Sequence, residues 1–338
     1  MFIINNKTNK GVINMNIKKI GLTALAGSLV ATSAIAGEMS VAGSASLNME
    51  HTNGGAANSG KTFSMGNQLT FTGSGELDNG LTVSLSFILD QGDDKGTDTS
   101  ADDNANAPFD SHSVSISSEG LGTLQLSGEG GSSAQTALDT TAAGDIWDSF
   151  DGTGDLTPGG SATSNNSLMY TLPSMVDGLT LKASYVPTGS GTDSATAWSA
   201  SYTGVEGLTL SYGQGDGNSP STDVDASSLS ATYAYGPITV GYSKTEYDSA
   251  AANSDKETTS YNLSYTVSDE ISVSYGTEEI QSDATAAVED AEFAGVSVSY
   301  TAGGMTITAK MQDADNIDGT TTATKDRERW ALGASFAF

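Results

Sequence analysis

The sequence has no cysteine, only two histidines and few basic residues. The absence of cysteine excludes disulfides, zinc–cysteine sites and thiol catalysis, so the folded chain needs another source of stability. No Ser-His-Asp order, nucleophile elbow or phosphate-binding loop can be recognised, and nothing in the sequence favours an enzyme. Beyond residue 36 there is no run of roughly eighteen apolar residues, which excludes helical membrane spans.

Acidic and basic residues are distributed very unevenly between the first 36 residues and the rest of the chain. All 41 acidic residues follow residue 36, together with only nine of the 13 Lys and Arg residues, so residues 37–338 carry a formal net charge of −32. A nucleic-acid partner is excluded because binding to phosphates requires a basic surface. The acidity is typical either of solvated loops or of a field that concentrates cations, and the composition does not choose between them.

The first 36 residues have the pattern of a targeting segment. Lys18 and Lys19 precede an apolar run from Ile20 to Ile35, which ends in the small-x-small sequence Ala34-Ile35-Ala36. We expect residues 1–14 to be an upstream extension, residues 15–36 a cleaved signal peptide and residues 37–338 a single domain.

What the domain does have is strict alternation of apolar and polar residues. At the end of the chain, Trp330, Leu332 and Phe336 fall on one face and Arg327 and Arg329 on the other, which is the pattern of a strand with one oily and one wet side. Sixteen such segments follow Val41, several of them about as long as a tilted strand that crosses a bilayer. Phe63 to Gly73 is one of these long segments, whereas Ile238 to Tyr242 and Ile271 to Tyr275 are shorter predicted strands.

The connections between these segments alternate in length. Seven are tight turns rich in Gly, Asp, Asn and Pro, and eight are long loops rich in Asp, Ser, Thr and Gly. The even strand number lets the first strand pair with the last. We therefore predict an all-β fold: a 16-stranded antiparallel transmembrane β-barrel with short periplasmic turns and long outer loops.

The aromatic residues sort by strand direction, as the interfacial belts of a membrane barrel require. One predicted belt lies at the turn end and the other at the loop end. The turn-end belt contains Phe71, Tyr170, Tyr202, Tyr233, Tyr235, Tyr265, Tyr300, Phe336 and Phe338, and the loop-end belt Phe87, Tyr185, Trp198, Tyr212, Tyr242, Tyr275 and Trp330.

The inward positions are mostly Ser, Thr and Asn. A barrel of 16 strands is too wide to be filled by its own side chains, so the sequence predicts a water-filled channel. Two residues break the alternation: Phe293 is out of phase with Val296, and Asn67 would face lipid. A bulge or a shifted strand boundary would account for either.

In these features the chain resembles the general diffusion porins of Gram-negative bacteria, most closely the trimeric porins of alphaproteobacteria. The resemblance covers the signal peptide, the opening Ser40-Val-Ala-Gly43, the segment Gly120-Leu-Gly-Thr-Leu-Gln-Leu-Ser-Gly128 and the terminal Phe338. It implies passive diffusion of small hydrophilic solutes and ions and a homotrimer that associates through strands 1 to 5. It also implies an outer-membrane location, contact with lipid and lipopolysaccharide, and a role for Phe338 as the assembly signal.

The same resemblance implies that the third outer loop, about Glu129 to Asn165, folds inward and narrows the channel. Its acidic residues are the expected constriction: Glu129, Asp139, Asp145, Asp148, Asp151 and Asp155. The alternation places the basic residues Lys182, Lys310, Arg327 and Arg329 on the inner wall. An acidic loop opposite a basic wall would set a transverse field, and the excess of acids predicts a preference for cations.

No cofactor is expected to be required. The second outer loop carries Asp93, Asp94, Asp98, Asp102 and Asp103, and carboxylate-rich loops can bind Ca²⁺ weakly. Related outer loops bind calcium or bridge lipopolysaccharide through divalent ions, but this run lacks EF-hand spacing.

Two alternatives to a transport channel stay open at this point. One is a structural or adhesive outer-membrane barrel that does not transport, and the other is a secreted soluble β-solenoid or lectin-like adhesin. Channel conductance separates a transporting barrel from a silent one, and migration of an SDS-resistant trimer on a gel separates both from the adhesin.

Overall fold

The computed structural model describes residues 37–54, 60–90, 110–150, 158–163, 165–187, 193–217, 223–284, 287–321 and 326–338. The predicted extension, the signal peptide and parts of several loops lie outside these ranges. Among the described residues, no helix is long and apolar enough to cross a membrane.

Sixteen antiparallel strands form one closed sheet, in which each strand pairs with its neighbours in sequence and β1 pairs with β16. The predicted fold class is confirmed. The strands are β1 Glu38–Asn53, β2 Gly60–Glu76, β3 Thr82–Asp90, β4 Ser111–Ser118, β5 Gly122–Glu129, β6 Ser167–Thr171, β7 Leu179–Val186, β8 Ala195–Val205, β9 Leu208–Asp216, β10 Val224–Tyr235, β11 Ile238–Ser249, β12 Lys256–Thr266, β13 Ile271–Ser282, β14 Ala291–Ala302, β15 Met305–Asp315 and β16 Arg327–Ala337.

The strands β8 to β15 extend further at the loop end than the alternation of residues predicts. For example, β11 continues to Ser249 and β13 to Ser282, well beyond the predicted ends at Tyr242 and Tyr275. Both faces of these extensions are polar or mixed, since they lie beyond the apolar band. The ladder of backbone hydrogen bonds continues there without the hydrophobic alternation that marks a strand in the sequence.

The outside of the barrel carries a band of exposed apolar side chains, a surface suited to hydrocarbon. Its members include Val41, Leu47, Phe63, Met65, Leu85, Val114, Leu210, Val240, Leu263, Val298 and Leu332. The buried residues lie mainly inside the barrel, where the connection between β5 and β6 packs against the wall.

The barrel closes where the chain ends. The amide of Phe338 donates to the carbonyl oxygen of Gly43 at 2.9 Å, and the amide of Gly43 donates to the carbonyl oxygen of Phe338 at 2.7 Å. The Phe338 ring lies over Gly43, where an added Cβ would be 2.3 Å from the ring. The terminal residue therefore completes the β1–β16 seam.

Candidate functional site: the loop inside the barrel

The loop between β5 and β6, here called L3 (residues 130–166), folds into the barrel. Its backbone amides and side chains donate hydrogen bonds to hydroxyl groups on the inner wall. These bonds run from Ala134 to Ser184 of β7, from Gln135 to Ser228 of β10, from Ala142 to Ser243 of β11 and from Ala143 to Ser260 of β12, at 2.8–2.9 Å. L3 thus crosses the wall strand by strand, and the predicted inward-folded third loop is confirmed.

Glu278 of β13 is the strongest attachment of L3. Its side chain faces the lumen and the residue is only 2% exposed. The carboxylate accepts hydrogen bonds from the Thr141 hydroxyl and from the amides of Ile146 and Trp147, the last two at 2.8 Å. A buried carboxylate is costly unless donors surround it, and here L3 supplies those donors.

An apolar cluster holds the part of L3 that directly follows these donors. Ile146 and Phe150 pack against Ile280 of β13 and Phe293 of β14, and the ring centroids of Phe150 and Phe293 are 6.0 Å apart. The expectation that a bulge or boundary shift places Phe293 out of phase is wrong, because the β13–β14 register is continuous there. Phe293 faces inward because L3 covers it and keeps it from water.

Glycines on the wall let L3 approach closely. A Cβ added to Gly276 of β13 would lie 2.5 Å from the Cβ of Ala143, which real structures do not tolerate. A Cβ on Gly213 would lie 3.1 Å from the Cα of Gln135, and one on Gly241 would lie 3.4 Å from the Cβ of Ala142. At these positions the wall is recessed to fit the loop backbone.

The outgoing and returning limbs of L3 are joined to each other. The fully buried Gln135 accepts a hydrogen bond from the amide of Ser161 at 2.7 Å while its own amide group holds Ser228. The hydroxyl groups of Ser133 and Ser161 are 2.6 Å apart. L3 is therefore a folded hairpin fixed to one side of the lumen.

Four of the six predicted constriction acids lie in the described part of the chain. Asp139, Asp145 and Asp148 lie on the outgoing limb of L3, and Glu129 ends β5 with its carboxylate 3.8 Å from a ring nitrogen of His112. Asp145 accepts a hydrogen bond from the Thr141 amide at 2.9 Å. Asp151 and Asp155 lie outside the described residues.

The carboxyl group of Asp139 is affected by its surroundings in L3. The pKa of Asp139 is raised to about 6, chiefly because burial disfavours the charged form and also because the charge of Asp145 lies nearby. The net charge of L3 therefore changes between neutral and mildly acidic pH.

The four predicted basic residues lie near the two ends of the L3 crossing. Lys182 belongs to β7 and Lys310 to β15, where it shares an inner-wall recess with Thr308 and Arg329. Arg327 is buried at the start of β16.

Arg329 is neutralised locally. Its guanidinium forms an ion pair with Glu50 of β1, including a 3.1 Å hydrogen bond from Nε, and donates to Gln312. The alternation places Glu50 on the inner wall, where it was not predicted as a site residue.

The wall formed by β1–β6 is uncharged over most of its described inner face. The inward positions of β1–β6 carry mostly Ser, Thr, Asn and Gln, together with a few carboxylates and the apolar Ile88 and Met169, and none of them is Lys or Arg. Across the lumen, the acids of L3 therefore face mainly hydroxyl groups. The four basic residues lie instead on β7, β15 and β16.

The predicted calcium ligands Asp93, Asp94, Asp98, Asp102 and Asp103 all lie outside the described residues. Within the part of the chain that the structure describes, no group of three or more His, Asp or Glu residues is placed to hold a metal ion.

Sequence reasoning missed Glu278, Gln135 and Glu50 as site residues. A signal for the first was present, since Glu278, Ile280 and Phe293 break the run of small hydroxyl residues on the wet face of their strands. Bulky or charged residues at such positions indicate that something inside the barrel covers them. Gln135 lies in a loop without periodicity and gave no comparable signal.

Comparison with known proteins supports the same family. A family model for Gram-negative porins matches residues 21–286, whereas no curated protein matches the sequence.

Several solved structures share the fold at low sequence identity. OmpT, an outer membrane protein of Vibrio cholerae, aligns with a TM-score of 0.66 at 14% identity over 90% of this chain and 99% of its own. An anion-selective porin from Comamonas acidovorans aligns with a TM-score of 0.64 at 17% identity, over 89% of this chain and 99% of its own. A mutant of the Rh. blastica porin aligns with a TM-score of 0.61 at 16% identity, over 89% of this chain and 100% of its own. With its closed 16-stranded barrel and its match to the family model, this chain belongs to the Gram-negative porin family.

Proposed function

We propose that the protein is a non-enzymatic channel for passive diffusion of small hydrophilic solutes and ions. The observation that carries the proposal is L3, held inside a hydroxyl-lined barrel by Glu278 and a row of wall hydroxyls. A loop fixed to one side of a wide lumen narrows it without sealing it. In planar bilayers the purified protein should give discrete conductance steps, whereas a purely structural or adhesive barrel would be silent.

We infer an outer-membrane location from the family and from the outer surface. The exposed apolar band is bordered by tyrosines at both rims, as for Tyr235 at the turn end and Tyr275 at the loop end. Membrane fractionation should recover the protein with the outer membrane. Recovery in a detergent-free soluble fraction would contradict this location.

We further propose that the channel prefers cations. The charges support this: L3 carries carboxylates and no Lys or Arg, Arg329 is paired with Glu50, and the described inward positions of β1–β6 include no Lys or Arg. The Comamonas porin, which is described as anion-selective, has the same fold at 17% identity. The preference must therefore come from the charged residues, and a reversal potential in a KCl gradient would show its sign.

We also propose that copies of the chain associate as a homotrimer through β1–β5. All 12 tyrosines follow residue 169 and all three tryptophans follow residue 146, so the outer face of β1–β5 lacks the amphipathic residues that anchor a surface at the lipid interface. That face exposes Phe63 and Met65 instead, and it includes the polar Asn67. The register there is continuous, so a bulge does not account for Asn67.

Asn67→Leu distinguishes subunit contact from lipid contact. If Asn67 packs against another copy, Leu should lower the temperature at which the SDS-resistant oligomer dissociates, because a polar contact is lost. If residue 67 faces lipid, Leu should leave that temperature unchanged or raise it. Leu69→Met, on the same face, is a matched apolar control.

A further inference from the structure

One tyrosine differs in position from all the others. Of the 12 tyrosines in the sequence, eleven occupy outward positions on their strands. Only Tyr247 of β11 occupies an inward position, on the same face as Ser243 and Thr245. The lipid interface therefore explains the other tyrosines but not this one.

Tyr247 borders a cavity of about 730 Å³ on the lumen side of the loop end. The returning limb of L3 forms one side, where Gly159 lies so close to Tyr247 that an added Cβ would be 2.2 Å from the ring. Asn253 and Ser254 of the β11–β12 loop and Thr320 of the β15–β16 loop supply amide and hydroxyl groups. Its volume is within the range of small-molecule sites, roughly 300–1,000 Å³.

The chemistry of this cavity narrows the choice of ligand. Asparagine, serine and threonine side chains both donate and accept hydrogen bonds, as sugar hydroxyls do, and an aromatic ring offers an apolar surface to the C–H face of a sugar ring. Lys256 and Asp318 also line the cavity and bring one charge of each sign, so its lining has no net charge that would select an ion.

From this placement we propose that the cavity is a binding site for neutral saccharides of one or two rings, located at the loop-end mouth of the channel. Because Gly159 belongs to L3, a bound sugar lies beside the constriction and is held where passage through it begins. The proposal rests on the proposed function, since binding at this mouth assists transport only if the lumen conducts.

Calorimetric titration of the detergent-solubilised protein with maltose and glucose tests binding without requiring conduction. Tyr247→Ala should raise the dissociation constant about tenfold because the stacking surface is lost, and Tyr247→Phe should change it by less than about twofold, since the ring is kept. Tyr275→Ala, which removes a tyrosine from the outer surface, should bind as the wild type does.

A second variant covers the case in which Tyr247→Ala loosens L3. The double variant Ser254→Ala with Thr320→Val keeps the ring and should weaken maltose binding several-fold. In bilayers, maltose should interrupt the ion current of the wild type more often than that of this variant.

The outcomes separate this site from the channel itself. Maltose binding that depends on Tyr247 in a barrel that does not conduct would support the site while the proposed function fails. The site would be overturned by a conducting channel that shows neither heat nor current interruption with either sugar. Equal binding by the wild type, Tyr247→Ala and the double variant would also overturn it.

Discussion

Removing the carboxylate of Glu278 should free the central part of L3 while leaving the barrel closed. Glu278→Ala leaves three donors, the Thr141 hydroxyl and the amides of Ile146 and Trp147, without their acceptor in a buried place. Each unsatisfied donor costs about 1–3 kcal/mol. Removing one partner from a buried charged network typically costs about 3–5 kcal/mol in all.

That loss exceeds what any other single hydrogen bond between L3 and the wall supplies. The neighbouring bonds to Ser243 and Ser260 are neutral and contribute about 0.5–1.5 kcal/mol each. A loss of 3 kcal/mol or more shifts the balance between attached and detached loop by about a hundredfold, since each 1.4 kcal/mol is a factor of ten. The backbone ladder of the barrel does not involve the Glu278 side chain, so the thermal stability of the barrel should change little.

Liposome swelling with sugars of graded size measures this effect. Glu278→Ala should admit larger solutes than the wild type, and single-channel traces should become noisier as L3 moves. Glu278→Gln should fall between the two, because the amide keeps one acceptor but points a donor at the loop.

Glu279→Ala is the matched control. It removes the same charge one residue along β13, from a side chain on the outer face of the barrel, and should leave the size limit unchanged. An unchanged size limit and noise level in correctly folded Glu278→Ala would refute the assignment of Glu278 as the attachment of L3.

Three further changes probe L3 in other ways. Because the pKa of Asp139 is raised to about 6, this residue is charged at pH 7.5 and mostly protonated at pH 5. The cation preference measured by reversal potential should therefore fall in a step near pH 6 on acidification. Asp139→Asn should abolish that step. Gly276→Ala places a methyl group against Ala143 and should push L3 into the lumen, which lowers single-channel conductance. The pair Ala142→Cys and Gly241→Cys should form a disulfide, since the two Cβ positions are 3.4 Å apart. This bond would fix L3 to β11, and a non-reducing gel should detect it in an otherwise cysteine-free chain.

Controls for these changes come from the same chain. Asp148→Asn removes an exposed acidic side chain from L3 and should lower cation preference at neutral pH while keeping the step near pH 6. Gly73→Ala adds a methyl group that makes only ordinary contacts, the nearest at 3.5 Å, and should leave conductance as in the wild type. A pH step that persists in Asp139→Asn, or normal conductance in Gly276→Ala, would contradict the geometry of L3.

The barrel could be predicted from the sequence because lipid and water lie on opposite sides of each strand. The apolar positions of β11 and β13 therefore alternate up to Tyr242 and Tyr275, and the alternation ends there because the strands then leave the apolar band. The hydrogen-bonded ladders continue to Ser249 and Ser282, but both faces are wet in these extensions and the sequence shows no period.

The attachment of L3 was less predictable because it joins residues far apart in sequence. The bond from Ile146 to Glu278 spans 132 positions, and local spacing carries no information about such a pairing. The sequence gave one partial indication of this attachment, an exception to the alternation of apolar and polar residues. Phe293 and Ile280 place apolar side chains on the face that otherwise carries polar residues. Exceptions to the alternation inside a barrel are therefore useful markers of what folds into its lumen.

Current recording from the purified wild-type protein in a planar bilayer, with a KCl gradient across it, is the most direct test of a water-filled lumen narrowed by an acidic loop. The structure predicts discrete, stable steps and a reversal potential of the sign set by K⁺ permeating faster than Cl⁻. A protein that inserts without steps, or steps whose reversal potential favours Cl⁻, would contradict it.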